Sequence, residues 1–402
     1  MRSPHALFVF LASLFGLAYT FVTPPCYVPD EVAHFWRAVS IAHGTLNPTD
    51  GNAPLPKGYQ VFVFCVMHAN VKVEWQQMKD AWDIDQKTNE IVELKVVPAS
   101  YSPANYVPQI AAAWIGRVTR IRPMIVFYLG RLFALAAFIA LVAFAIRATP
   151  FLKWGFAAAA LLPMSLFMAA SWSADSMTIA LAFLTTALAL RGARDVASPV
   201  AAFFLGLCKP VNFLVAFIAR RWIVPLAALA GFGVLALIAR GAPPQTARLA
   251  HWPCVNRDFP GIVVNDYLAS TAAYAEQMVG RLGRLDVILP KPIIWLEWAL
   301  LALIAITAGE KIPRLQRLQT LVVSLLLMLS ISAWMYLTWT PTCNPPILGI
   351  QGRYYLPLLP ALLVAISNPW WRWKKPGAIA LATVAVIANT FAAAAVGFRY
   401  YG

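Results

Sequence analysis

Residues 124–146 read MIVFYLGRLFALAAFIALVAFAI, a run of 23 residues interrupted by one charge, Arg131. About twenty apolar residues in a helix cover the hydrocarbon core of a bilayer, so this run reads as a crossing helix. Working outward from it, further apolar runs cover 5–23, 154–170, 176–190, 197–208, 210–219, 222–239, 292–308, 318–338, 353–367 and 377–396. Together they predict an all-α polytopic membrane protein with about eleven transmembrane helices. Residues 4–23 have the look of a secretory leader, but Thr23-Pro24-Pro25 offers no small-residue cleavage site. They are read as a retained first helix.

The composition agrees. Of 402 residues, 60% are hydrophobic and 12% charged, with a mean hydropathy of +0.66. An ordinary soluble domain carries about 25% charged residues. The net charge of +15 does not indicate nucleic acid, because the basic residues stand in short clusters between apolar runs. The chain also lacks a glycine-rich phosphate loop, zinc-type Cys/His spacing and an aromatic RNA-binding motif. The paired runs 197–208 and 210–219 are too short for two full crossings. They meet at Cys208-Lys209-Pro210, where proline removes a helix hydrogen bond, and so read as half-buried helices meeting inside the protein.

Orientation follows from lysine and arginine. A cytoplasmic N-terminus places Arg2, Arg147/Lys153, Arg191/Arg194, Arg220/Arg221, Lys311/Arg314/Arg317 and Arg372/Lys374/Lys375 inside, against only Asp195 and Glu310. The chain then divides into a first transmembrane helix (1–23), an external loop (24–123), a membrane core (124–239), a second external loop (240–291) and C-terminal transmembrane helices (292–402). A short third external stretch covers 339–351. The first loop carries nine basic and nine acidic residues, a balanced and folded surface. Within it, Glu31–His43 reads as a helix with Asp30 as N-cap and Gly44 as stop, and Tyr106–Arg117 as a second. Both are expected on the membrane surface, with Trp36 and Trp114 at headgroup depth. His34, Phe35, Ala38 and Ile41 share one face of the first. Trp82–Val97, turning at Lys87-Thr88-Asn89, is a candidate hairpin. Cys26, Cys65, Cys254 and Cys343 fall in external segments, so two disulfides and free thiols both remain open; Cys208 lies in the membrane.

Charges in or beside a bilayer are costly, which makes each one a functional candidate. In this topology Asp30, Glu31, Arg131, Asp175 and Arg353 lie at external helix ends and Lys209 at the tip of the short pair, so six charges converge on one face. Arg353, Lys209 and Arg131 are the cations among these candidates. Each also has a bland reading: Asp30 as a cap, Arg353 as a snorkelling residue, His34 as a packed interfacial histidine. Asp175 is expected to pair with one of the cations, or with Asp30 to hold a divalent cation. Glu297, between Trp295 and Trp298 in the eighth run, belongs to no motif.

Five motifs occur in order: PDEVAHFWRAVSIAHGTL (29–46), FYLGRLFAL (127–135), LLPMSLFMAASWSADSMTIAL (161–181), LGLCKPVNFL (205–214) and QGRYYLPLLPALL (351–363). The ordered set resembles a bacterial membrane family catalogued as domain of unknown function 2142. It is similar also to the wider GT-C glycosyltransferases, among them protein mannosyltransferases and aminoarabinose transferases. The resemblance implies a GT-C-like helix arrangement in the inner membrane. It implies an inverting transfer of a sugar from a polyprenyl-phosphate donor to a cell-envelope acceptor on the external face. It further implies an acid of the first external loop as general base, a position that Asp30 or Glu31 matches, with His34 orienting it. The donor phosphate that the resemblance implies would be gripped bidentately by Arg353, met by Lys209 as a point charge, and have Arg131 as a third candidate, with Arg37, Gln351 and Tyr354 in the matched motifs as supporting residues. The superfamily has metal-dependent and metal-independent members, so no cofactor follows. The competing reading is a transporter or flippase for a lipid-linked intermediate, using the same cationic groove without chemistry; a scaffold without activity is a third.

Overall fold

A computed structural model describes residues 3–48, 51–67, 72–85, 90–96, 99–239, 252–340, 347–367 and 377–402, with 252–258 described by backbone alone. Arg2, Lys87–Asn89, Cys343, Arg372, Lys374, Lys375 and the Cys254 side chain lie outside the described residues.

The helices are α1 (Pro4–Val22), α2 (Glu31–Ala42), α3 (Lys57–Val66), α4 (Trp75–Asp83), α5 (Val107–Thr119), α6 (Pro123–Ala148), α7 (Lys153–Ala160) and α8 (Pro163–Ala169). They continue with α9 (Asp175–Arg191), α10 (Ala197–Cys208), α11 (Ile223–Ala239), α12 (Trp252–Gly280), α13 (Lys291–Thr307), α14 (Arg314–Thr338), α15 (Leu359–Ile366) and α16 (Gly377–Tyr401). Among the described residues, strands are confined to two small antiparallel pairs, β1 (Asn52–Pro56) with β2 (Ile91–Lys95) and β3 (Arg281–Leu282) with β4 (Val287–Ile288). The protein is an all-α membrane protein. Among the described residues, α1, α6, α14 and α16 are each long and apolar enough to cross a bilayer.

The other apolar runs form shorter or broken helices, and proline explains the breaks. Pro163 divides the run 154–170 into α7 and α8 by opening a new helix at its first residue. The run at 353–367 starts as a 3-10 turn, Gly352–Leu358, which contains Pro357 and passes into α15. Lys209-Pro210 ends α10, and a second 3-10 stretch follows at Asn212–Ile218. The helix α9 is buried on nearly every side and forms the axis on which α6, α8, α10 and both 3-10 stretches pack. Two glycines bring α10 and α11 into backbone contact: a Cβ on Gly206 would meet the Ala228 carbonyl at 2.0 Å, and one on Gly231 the Phe203 carbonyl at 2.0 Å. Such small-residue seams let membrane helices approach closely where lipid offers no hydrophobic drive.

The first loop folds onto one end of the bundle. Phe35 of α2 stacks edge-on with Trp172 at 4.7 Å and lies 5.1 Å from Phe127 of α6, which roots the loop in the helices. Trp36 is therefore buried rather than at a membrane surface, while Trp114 of α5 is 56% exposed with Val107 and Val118 beside it. Strand β2 pairs with β1 from Asn52↔Lys95 to Pro56↔Ile91, so the expected hairpin back to Trp82 does not form. Trp82 belongs instead to α4, whose start is fixed by a capping box between Glu74 and Gln77. Residues 240–291, read as a plain loop, contain the 29-residue α12, which packs on α8, α13, α14 and the Gly352–Leu358 turn. Its mixed polar composition hid it from a search for apolar runs. Cys26, Cys65 and Cys208 are free thiols, so no bridge joins Cys26 to Cys65 and the two-disulfide arrangement is excluded.

Candidate functional site

At the end of the bundle that carries the first loop, four charges from four segments form one connected chain. Asp30 stands at the start of α2, Asp175 at the start of α9, Lys209 just beyond α10, and Arg353 in the Gly352–Leu358 turn. Arg353 reaches Asp30 Oδ2 through Nη2 and stands 3.4 Å from Asp175 Oδ2 through Nε. Lys209 pairs with the other oxygen of Asp175. The Arg353 side chain is only 2% exposed and that of Lys209 16%, whereas Asp30 is 56% exposed. Two acids and two bases give the cluster a net charge of zero.

Local backbone explains each position. Asp30 adopts the left-handed conformation (φ 60°, ψ 8°), one that aspartate tolerates better than most residues. Its side chain makes no capping hydrogen bond and engages Arg353 instead, so the expected N-cap role is not the one observed. The helix does stop at Gly44, as expected, with φ 97°. The turn into α9 is knit by Ser171 and Ser173, whose hydroxyls accept from the Ser173 and Asp175 amides at 3.1 Å each. Lys209, extended at the break before Pro210, lies 5.0 Å above the Tyr354 ring and 6.0 Å from that of Tyr101.

Arg353 is placed by glycine. A Cβ on Gly352 would meet the Tyr274 carbonyl at 2.3 Å and Gln277 Cβ at 2.6 Å, so only glycine lets this turn lie against α12. The Gly352 amide donates to Gln277 Oε1 at 2.8 Å. Gln351 Oε1 is buried and accepts no hydrogen bond.

Glu31 and Arg131 belong to a separate, closed pair. Arg131 donates from Nε to Glu31 Oε1 (2.9 Å) and from Nη2 to Oε2 (2.7 Å), and both side chains are fully buried. Its remaining donors go to the carbonyls of Thr20, Thr23 and Pro24. Glu31 also accepts from the amides of Cys26, Val28 and Trp172. Glu31, the alternative general base, is thus sealed from any acceptor, and Arg131 has no donor left for a phosphate. The pair ties the end of α1 to α6 and to the Trp172 turn. Arg37 is likewise structural: it donates to the Tyr101 and Leu46 carbonyls and so holds Tyr101 in place.

His34 lies one turn beyond Asp30. Its Nδ1 shares a 2.6 Å hydrogen bond with the Tyr106 hydroxyl, and its ring packs 5.7 Å from that of Tyr101. Nε2 has no hydrogen-bond partner among the described residues. Burial pushes the imidazole down to about 4, although Asp30 and Asp175 pull the other way. It is therefore neutral at physiological pH, able to accept or donate one hydrogen bond but not to act as a cation.

Among the described residues no group of three or more metal-ligating side chains gathers. Asp30 and Asp175 are both tied to Arg353, so a divalent cation between them would have to displace a guanidinium.

The family model described as "Predicted membrane protein (DUF2142)" matches residues 11–362. The chain belongs to the DUF2142 family. No curated protein and no solved structure matches it. The span shared with DUF2142 contains the whole charge chain from Asp30 to Arg353, with His34, Tyr101 and Tyr106. Tyr101 and Tyr106 escaped the sequence reading. The signal that could have found them is the Tyr101-Ser102-Pro103 turn in a loop that already supplied Asp30 and His34. Glu297, buried in α13 with Oε1 lacking a partner, stands apart from this cluster.

Proposed function

We propose that this DUF2142 protein is an inverting glycosyltransferase of GT-C type, moving a sugar from a polyprenyl-phosphate donor to a cell-envelope acceptor. The observation that supports it best is a chain of two largely buried cations, Lys209 and Arg353, joined through the buried Asp175, with Arg353 also paired to the exposed carboxylate of Asp30. In this reading the chain crosses the inner membrane about eleven times, its N-terminus is cytoplasmic, and the site opens on the external face. Lateral diffusion in the bilayer brings the donor phosphate to Arg353 and Lys209. Asp30 removes the acceptor hydroxyl proton as its oxygen attacks the anomeric carbon from the face opposite the phosphate. The bond from that carbon to the phosphate oxygen breaks, and its electron pair leaves with the polyprenyl phosphate. The two cations stabilise the charge that develops there, in a site shielded from water. Tyr354 and Tyr101 wall the Lys209 ammonium, and neutral His34 is placed to orient the acceptor.

The test is release of polyprenyl phosphate from a panel of radiolabelled polyprenyl-phosphate sugars by the purified protein with membrane extract as acceptor source. Release from one donor, reduced on the order of a hundredfold or more in Asp30→Asn, is expected for a general base. Donor binding without release from any donor would favour a transporter or flippase.

A further inference from the structure

The carboxylate assigned as the base is bound to the cation assigned to the phosphate, and each role requires the other partner gone. We infer that Arg353 is a latch: it holds Asp30 in the empty site, and an arriving phosphate group displaces Asp30 from Nη2 and so releases the carboxylate for the acceptor. This rests on the phosphate reading above and adds an order of events to it.

The geometry singles out which contact yields. Asp175 is buried and engaged by both Lys209 and Arg353, so it cannot leave without stranding a charge. Asp30 is the one member that faces outward, and its side chain has Arg353 as its only partner among the described residues. The other contacts of Arg353 are longer, and its guanidinium also lies 5.4 Å from the Tyr354 ring. Nη1 is 3.3 Å from the Pro29 carbonyl and 3.9 Å from Met168 Sδ, and Nε faces Asp175 without a hydrogen bond of proper geometry. A phosphate offers a guanidinium two oxygens where Asp30 presents one. Exchange of one anion for another never leaves Arg353 unpaired, which keeps the step shallow. Because coupling is reciprocal, whatever affinity Asp30 removes from the phosphate is returned as freedom of Asp30 once the phosphate is bound. The carboxylate is then freed from the guanidinium only when the donor is in place.

The experiment is calorimetry on the purified full chain in detergent, with farnesyl phosphate, inorganic phosphate and farnesol as probes. The variants are Asp30→Asn, which suits the left-handed backbone, and Asp30→Gly, which also removes any residual contact to Arg353. Farnesyl phosphate is expected to bind both variants about fivefold or more tighter than the wild type, the lower end of ordinary coupling between sites. Farnesol should show no gain. A matching gain with inorganic phosphate supports the latch with the phosphate group alone as its key; a gain with farnesyl phosphate only supports it with a lipid phosphate as the ligand. Equal or weaker binding to both variants overturns the latch while leaving the phosphate site standing. No binding of any phosphate to any of the three proteins overturns both.

Discussion

Asp30 and Glu31 are neighbours in the chain with opposite surroundings: one exposed and held by a single guanidinium, the other sealed against Arg131 and three backbone amides. Removing the Glu31 charge leaves Arg131 buried and uncompensated, at a cost of about 3–5 kcal/mol. Glu31→Gln is therefore expected to lower the unfolding temperature sharply in detergent, with Asp30→Asn close to wild type; equal stabilities would refute the division of roles. His34 sets a pH limit. Its folded value of about 4 lies below the free value of 6.5, so the unfolded chain takes up the proton first. Stability from this group is full above about pH 6.5 and is lost as pH falls toward about 4, by roughly 3 kcal/mol. His34→Gln should flatten that part of the profile in thermal unfolding between about pH 7 and about pH 4. An unchanged slope would mean that the imidazole takes up its proton at the same pH in the fold as in the unfolded chain. The sequence pointed to all six membrane-edge charges but could not sort them, since Arg131 and Arg353 read alike until the carbonyls that saturate one of them are in view.

The Gly352–Leu358 turn shows how a helix without charge in the site still governs it. Because α12 lies against the backbone of Gly352, Gly352→Ala must push Arg353 away from Asp30 and Asp175. Donor release should fall at least about tenfold, the scale of loss that small misplacements cause, with every charged residue intact. Activity at the wild-type level would show that the turn yields without moving the guanidinium. At this scale the pattern of apolar runs predicted α1, α6, α9, α14 and α16 well, because uniform hydropathy over a helical length has few other meanings. The broken pair at Lys209-Pro210 was equally legible from proline. What stayed hidden was α12, whose polar residues are satisfied by neighbouring helices: Tyr267 donates to the Met328 carbonyl and Gln277 accepts from the Gly352 amide. The pairing of β2 with β1 was hidden too, since a strand's partner across some forty residues leaves no local mark.

At the scale of the whole molecule, Glu297 is one of several buried side chains among the described residues with a polar atom that lacks a hydrogen-bond partner. Its Oε1 is buried in α13 without a hydrogen bond, while the nearby polar contacts are closed, Tyr19 donating to Asn389 at 2.9 Å. Replacing it by leucine is expected to stabilise the protein by about 1–3 kcal/mol, the scale set by an unsatisfied buried polar group. Thermal unfolding checks this, and a loss of stability would mean that Glu297 holds a ligand. The all-α membrane class was readable because lipid imposes strict rules on composition; the charge cluster was readable only as a collection, because convergence depends on helix packing that no single motif encodes. The zero sum of the four charges has one more consequence. Lines of force that begin on Arg353 and Lys209 end on Asp30 and Asp175 within a few ångströms, so the cluster projects little potential into the surrounding water. An anionic headgroup feels no long-range pull toward it and must be captured by collision within the plane of the bilayer. Encounter should then depend on lipid mobility and hardly at all on ionic strength, unlike the salt-sensitive capture by an open basic groove.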